Sequence, residues 1–278
     1  MKRKIFTVIT ILALAISHAL PLSAQNSKPK RESRIRYNGG PVMLGTNHVY
    51  YIFCGNWQNQ FAAQATMTDF VVNLGGSPYL NINTTYHDSA GTPLSNAVLW
   101  GSNIDDAYSH GTNLTQADVA GIVATNILSE QLPLDPQGIY IVVGSDDINM
   151  AGHCSDFCEF HHSTNVAGIL IVYAFIGNPR RCPNKCAAQL TGPNGDYAAD
   201  AMINWVAHDI AGALTNKTLT GWYDRLGNEN SDKCVNKFGA TYQTPNGGLA
   251  NVRIGGRDYL LQMNWVNDGI GYCAMSYP

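Results

Sequence analysis

Two continuous apolar runs most strongly limit what this chain can fold into. They read GIYIVVGS at 138–145 and GILIVYAFIG at 168–177, and both are rich in β-branched and aromatic residues. Runs without alternating polar residues are typical of strands that are buried on both faces in the middle of a sheet. The two runs therefore predict an α/β or α+β fold, with a mixed central sheet flanked by helices.

Other segments supply a further strand and the helices. HVYYIF at 48–53 predicts a buried strand, and the Gly-punctuated stretch from Gly239 to Cys273 predicts short strands and hairpins. Apolar residues at helical spacing predict three helices, at 57–74, 114–130 and 196–216, the second with Thr115 as its N-cap. With no internal repeat or interior linker, the 278 residues are long enough to bury the core of a single domain.

The N-terminus has the organisation of a secretory signal peptide. MKRKIFTVITILALAISHALPLSAQN begins with basic residues, continues with an apolar stretch from Ile5 to Ile16, and places the small residues Ser23 and Ala24 before Gln25. This predicts a signal peptide over residues 1–24, a flexible polar leader over 25–36 and a folded domain over 37–278. No later segment is long and apolar enough to span a bilayer. The protein is thus expected to be secreted and extracellular, or periplasmic in a Gram-negative host.

The charge of the exported chain argues against nucleic acid as a partner. The full chain has 17 basic and 20 acidic side chains, and the signal peptide contains Lys2, Arg3 and Lys4. Cleavage would leave 14 basic and 20 acidic side chains, a net charge of about −6.

Six of the seven cysteines are expected to form disulfides, because an oxidising compartment favours disulfides over a zinc cluster. Spacing alone leaves their pairing open, although Cys234 with Cys273 and local bridging among the other four is the expected arrangement. Cys54 lies in an apolar run and is expected to be a buried free thiol. The six are two Cys-x-x-x-Cys groups, Cys154 with Cys158 and Cys182 with Cys186, and the separate Cys234 and Cys273.

The third predicted helix carries adjacent polar residues, His208 and Asp209, in a largely apolar sequence. At about 100° per residue, His208 falls at the margin of the apolar stripe and Asp209 close to its middle. A buried carboxylate without a partner costs several kcal/mol, so Asp209 needs a cation, a metal ion or several hydrogen-bond donors. In the simplest interpretation, loop amides or an arginine satisfy Asp209, and His208 is an ordinary half-buried histidine.

Several segments in order resemble the EXORDIUM-like proteins, also called phosphate-induced or phosphate-responsive proteins. They are YNGGPVMLGTNHVYYIFCGNW, YSHGTNLT, GIYIVVGSDDI, FCEFHHS, YAFIGNPRRCPNKCA and PNGDYAADAMINWVAHDIAG. Plant members are secreted to the apoplast and associated with growth, without an established reaction. The signal peptide is of bacterial type, so the resemblance implies a microbial secreted member. Such a protein is expected to act at the cell envelope or cell wall by binding polysaccharide or protein.

The resemblance also implies a metal site of zincin-like type. Many relatives have His-Glu-Leu-Ala-Glu where this chain has His208 to Gly212, which makes His208 a candidate metal ligand and Asp209 a candidate general base. The candidate ligands that complete a zinc site are the downstream acids of ENSDKC and the histidine after the second cysteine, namely Glu229, Asp232 and His161.

Two departures from the family pattern weaken the case for catalysis. Asp209 is one methylene shorter than glutamate, and Gly212 has no side chain where relatives have the second acid. The chain also lacks the His-Glu-x-x-His pattern of a metalloprotease. Two hypotheses therefore remain from the sequence: a secreted binding protein, and a zinc-dependent hydrolase of peptidase type.

Overall fold

The structure is a computed structural model, and it describes residues 34–278. The predicted signal peptide and residues 25–33 of the predicted leader lie outside the described residues. At the end of that leader, Ile35 is buried in the core, and Arg36–Tyr37 pairs antiparallel with Trp222–Tyr223. Ile35 and Arg36, which the sequence analysis places in the leader, are therefore part of the folded structure.

A five-stranded mixed sheet forms the centre of the molecule, as predicted. Its strands lie in the order β2-β1-β3-β5-β4, and only β4 runs antiparallel to its neighbour. The two edge strands, β2 and β4, were not predicted, because their sequences VLWGSNIDD and EFHHSTNV contain few apolar residues. The strands are β1 (Asn47–Cys54), β2 (Val98–Asp106), β3 (Gly138–Gly144), β4 (Glu159–Val166) and β5 (Ile169–Ile176).

Three helices cover the two faces of the sheet, which confirms the α/β prediction. They are α1 (Phe61–Leu74), α2 (Gln116–Leu128) and α3 (Tyr197–Thr215). Because side chains alternate along a strand, Tyr51 and Phe53 of β1 pack with α1 and α3, whereas Ile52 packs with α2. The predicted N-cap is also confirmed, since the Thr115 side chain accepts a hydrogen bond from the Asp118 amide.

Short elements connect these layers. Three antiparallel pairs between residues 242 and 274 are the predicted hairpins near the C-terminus. Strand pairs are Arg36–Tyr37 with Trp222–Tyr223, Asn113–Leu114 with Asn149–Met150 (parallel), Tyr242–Gln243 with Leu249–Ala250, Val252–Ile254 with Arg257–Tyr259, and Asn264–Val266 with Tyr272–Ala274. Short helical segments are Leu80–Thr85, Pro179–Arg181, Pro183–Cys186 and Asp232–Cys234.

Three disulfides cross-link the described chain. Cys234 bonds Cys273, as expected, and the other four cysteines join the two Cys-x-x-x-Cys groups to each other. Those two bonds are Cys154–Cys182 and Cys158–Cys186. Cys54 is a buried free thiol. Within residues 34–278, no helix combines the length and the apolarity needed to cross a membrane.

Helix α3 is more deeply buried than its sequence pattern indicates. The pattern predicts one apolar stripe with His208 at its margin, but every residue of α3 after Tyr197 is buried. The sheet covers one side of the helix, and the segment after it covers much of the rest. His208 is 4% exposed and Asp209 is 0% exposed, so both side chains depend on protein partners.

Candidate functional site

Strand β4 presents two polar side chains to helix α3. In the antiparallel register, Glu159 lies opposite Ile176 and His161 opposite Ala174, whose side chains both belong to the core beneath α3. The next residue, His162, lies opposite Tyr173 and therefore faces the α2 layer. The position of His161 on a strand brings Glu159 to the same face.

Residues 229–232 bring two more acids to α3. The Asn230 side chain donates to the Ala211 carbonyl at 3.2 Å, and the Ser231 hydroxyl donates to the His208 carbonyl at 3.2 Å. The Glu229 amide donates to the Asp232 carboxylate at 2.9 Å, which fixes both acids in one turn. All of the residues predicted to bind metal therefore reach the same end of α3.

The assembled side chains form two groups, each built on one histidine. His161 places Nδ1 3.6 Å from Asp209 Oδ1 and Nε2 3.6 Å from Glu229 Oε1. His208 places Nε2 3.3 Å from Asp232 Oδ1 and 3.5 Å from Glu159 Oε1. The predicted set is thus brought together with Glu159, which sequence reasoning missed. Glu159 is two residues before His161, and residues two apart lie on the same face of a strand. This spacing could have identified Glu159 if β4 had been predicted as a strand.

A buried glutamine orients the ring of His208. Nε2 of Gln262 lies 3.1 Å from Nδ1 of His208 and donates to the Ser231 carbonyl at 3.0 Å. Gln262 is fully buried, and its own backbone amide donates to Asn204 on α3. This contact turns Nε2 of His208 towards Glu159 and Asp232.

Burial strongly perturbs the pKa values of this cluster. It raises the pKa of Asp209 to about 7 and, together with the nearby Asp209, raises that of Glu159 well above its ordinary value. Burial also raises the pKa of Glu229. For His208, burial lowers the pKa, but Glu159 and Asp232 outweigh it and raise the value to about 10. Burial raises the pKa of Asp232, but the hydrogen bond from His208 and its charge outweigh burial and lower the pKa.

Three buried atoms of the cluster have no hydrogen-bond partner. They are both carboxylate oxygens of Asp209 and Nε2 of His161. Neither loop amides nor an arginine satisfies Asp209, so the simplest interpretation from the sequence does not hold for it. A free imidazole nitrogen beside Glu229, with a carboxylate on the other side of the ring, is an arrangement suited to a divalent cation. The residues present therefore fit a nitrogen- and oxygen-ligated metal ion.

The predicted ligands do not form one compact coordination group. Within residues 34–278, only one group of three His, Cys, Asp or Glu side chains has all its ligand atoms within 4.8 Å of one another. Its members are His153, Cys182 and Cys186, and none of them is a predicted ligand. The His161 and His208 groups instead line a common open groove. Its walls are Glu159, Phe160, His161, His208, Asn216, Leu219, Tyr223, Gly227, Glu229 and Asp232. Asp209 is not among them and lies behind His161, so it is poorly placed to act on a substrate as a general base.

Gly212 leaves the space in which the His161 group is built. A Cβ atom at this position would lie 2.6 Å from Glu229 Oε2 and 2.9 Å from His161 Cε1. Asn216 on the same side donates a short hydrogen bond to Glu229 Oε1. Relatives are expected to have an acidic residue at this helix position. In this chain the carboxylate of Glu229 occupies the space that such a side chain would fill.

Gly212→Ala should lower the free energy of unfolding by about 1–3 kcal/mol, because His161 and Glu229 must both move. The sign is diagnostic, since glycine to alanine inside a helix otherwise stabilises by about 1 kcal/mol. Denaturant unfolding of Gly212→Ala measures the change. Gly256→Ala, where an added Cβ meets nothing within 4 Å, is the control and should change stability little. A more stable Gly212→Ala protein would contradict this packing.

Comparison with known proteins gives a consistent result. Residues 35–265 match the family model described as the phosphate-induced protein 1 conserved region. Protein EXORDIUM-like 3 from Arabidopsis thaliana is 29% identical over 87% of this chain and 82% of its own length. Protein EXORDIUM-like 5 from the same plant is 26% identical over 86% of this chain and 77% of its own length. Protein PHOSPHATE-INDUCED 1 from Nicotiana tabacum is 24% identical over 79% of this chain and 76% of its own length. No solved structure gives a significant match.

Proposed function

The chain belongs to the family of phosphate-induced and EXORDIUM-like proteins, and we propose from this that it is an exported protein of microbial type that acts at the cell envelope or cell wall by binding. The ligand is polysaccharide or an extracellular protein, and the open groove beside α3 is where it binds. Three disulfides in the described chain are consistent with an oxidising compartment.

One observation carries the proposal: two histidines and three carboxylates converge on an open groove, and Nε2 of His161 is buried there without a hydrogen bond. We propose that His161, His208, Glu229 and Asp232 hold a divalent cation, which requires the His161 and His208 groups to come closer together than they are without metal; the two imidazoles favour zinc. A bound cation would attract hydroxyl or carboxylate oxygens of a ligand. The ring of Tyr223 beside it offers apolar surface for a sugar ring or an apolar side chain.

The alternative is a zinc-dependent hydrolase in which α3 is a zincin-like helix. Its base would be Asp209, but this carboxylate is fully buried and outside the groove wall. Its second helical acid is absent at Gly212. These two features favour binding over hydrolysis as the role of the groove.

The proposal is tested by co-sedimentation of the purified chain with insoluble cell-wall polysaccharide, alongside metal analysis of the same sample. We expect about one zinc ion per chain and sedimentation that decreases after chelation with EDTA. Tyr223→Ala should weaken sedimentation by about tenfold without removing the metal, because one aromatic contact contributes about 1.4 kcal/mol.

Tyr272→Ala is the matched control, because Tyr272 is half exposed and outside the groove wall. It should sediment like the unmutated chain. Equal sedimentation of the Tyr223 and Tyr272 variants would exclude the groove as the polysaccharide site. A chain without stoichiometric metal would instead exclude the cation while leaving the groove to be tested by Tyr223→Ala.

A further inference from the structure

A second cluster of metal-ligating side chains lies away from the groove, at the start of β4. The bonds Cys154–Cys182 and Cys158–Cys186 join the two Cys-x-x-x-Cys segments side by side. Although they belong to different disulfides, Sγ of Cys182 and Sγ of Cys186 are only 3.5 Å apart. The four sulfur atoms therefore form one compact group.

An imidazole lies against the same group. Nδ1 of His153 is 3.4 Å from Sγ of Cys154, and its Nε2 is 4.0 Å from Sγ of Cys182. His153 is buried, and the group that it forms with Cys182 and Cys186 has all its ligand atoms within 4.8 Å. One imidazole and two sulfurs thus meet at one point of the fold, and the sulfurs of Cys154 and Cys158 are bonded to those two sulfurs.

Backbone and side-chain hydrogen bonds hold this arrangement independently of the sulfur–sulfur bonds. The Cys186 amide donates to the Cys182 carbonyl at 3.0 Å, which closes the helical turn that aligns these two side chains. The indole of Trp205 on α3 donates to the Cys186 carbonyl at 2.8 Å, and the Cys154 amide donates to the Phe157 carbonyl at 3.0 Å. The four side chains should therefore stay together when they are thiols.

We propose that the thiol form of the chain, which exists before the disulfides form, binds one zinc ion through Cys154, Cys158, Cys182 and Cys186. Two pairs of cysteines, each with three residues between its members, and four sulfurs in one group are the donor set of a tetrahedral zinc site. Zinc displaces the four thiol protons on binding. An external disulfide then oxidises each pair of thiolates by exchange: it takes up two electrons, leaves as two thiols, and the zinc ion is released as its ligands are consumed. The site is separate from the groove and independent of the function proposed for it.

Cobalt(II), which reports its ligands by absorption, is the probe. The purified full chain is first reduced with a phosphine, which with one water molecule converts each disulfide to two thiols and becomes the phosphine oxide. We expect one Co²⁺ per chain at this site, with thiolate-to-cobalt charge transfer and the strong visible bands of tetrahedral cobalt. The oxidised chain should lack the thiolate-to-cobalt charge transfer, whatever cobalt binds in the groove, and zinc should displace the cobalt from the thiolates.

Paired variants separate this site from other thiols and from loss of structure. Cys158→Ser with Cys186→Ser should remove the charge-transfer bands, whereas Cys234→Ser with Cys273→Ser should retain them, although each removes one disulfide. Circular dichroism checks that both remain folded. Identical cobalt spectra from the two double variants would overturn the proposal. So would equal cobalt affinity of the reduced chain in guanidinium chloride, because the fold would then contribute nothing to the site.

Discussion

Replacing His208 by alanine should lower the free energy of unfolding by about 3–5 kcal/mol and abolish stoichiometric binding of a divalent cation. Nε2 of His208 lies 3.5 Å or less from carboxylates of both Glu159 and Asp232, and these acids have raised its pKa to about 10. Without the imidazole, the carboxylates of Glu159 and Asp232 lose the positive charge that lies between them. Removal of one member of a buried ion pair has a cost of this size.

Thermal or denaturant unfolding of metal-free protein measures the first effect, and calorimetric titration with zinc measures the second. His162→Ala is the matched control, because His162 is on β4 but faces the α2 layer. It should bind zinc like the unmutated chain. If His208→Ala kept full zinc affinity, the proposed ligand set would be wrong, whatever its stability.

Asp209→Asn should have effects of opposite sign on stability and on cation binding. In metal-free buffer at about pH 8, the variant should be more stable by about 1–3 kcal/mol. The ionised carboxylate is fully buried with no hydrogen-bond partner, and a neutral amide costs less to bury. With zinc present the variant should bind about 10–100-fold more weakly, because Asp209 is the carboxylate beside Nδ1 of His161 and orients that ring.

The pH dependence of the metal-free protein follows from the same raised pKa values. Burial raises the pKa of Asp209 from 3.8 to about 7, so the folded state holds more protons than the unfolded state across that interval. Stability from this group is therefore lost as the pH rises from about 4 to 7. His208, raised from 6.5 to about 10, contributes stability that is complete below 6.5 and is lost as the pH rises through 10. In the Asp209→Asn variant, the loss of stability between about pH 4 and 7 should disappear, whereas the loss through pH 10 should remain.

Asp200→Asn is the control for Asp209→Asn. Asp200 is also on α3 and buried, but it accepts hydrogen bonds from the backbone and side chain of Asn194 at 3.0 and 2.6 Å. Its replacement should destabilise the protein, because an amide cannot accept both bonds as well. Destabilisation by Asp209→Asn in metal-free buffer at pH 8 would show that the Asp209 carboxylate has a favourable partner and would contradict this account.

The strong predictions from the sequence are those that depend on local pattern. Runs such as 138–144 could only be buried strands, and the Thr115 cap fixed the start of α2 because capping involves neighbours in the chain. The edge strand β4 was missed because its residues are mainly polar, and its pairing with β5 lies in the tertiary structure. Missing β4 meant missing Glu159, since its relation to His161 depends on strand geometry.

The sequence by itself determined the family, the fold class and the residue types available for a site, because these depend on composition, spacing and order along the chain. Only the tertiary structure decided what those residues can do. The register of β4 turned His161 towards α3 and His162 away, and the turn at 229–232 placed Glu229 in the space above Gly212. Burial and the contacts of Asp209 depend on segments far apart in sequence, and local pattern carries no information about them.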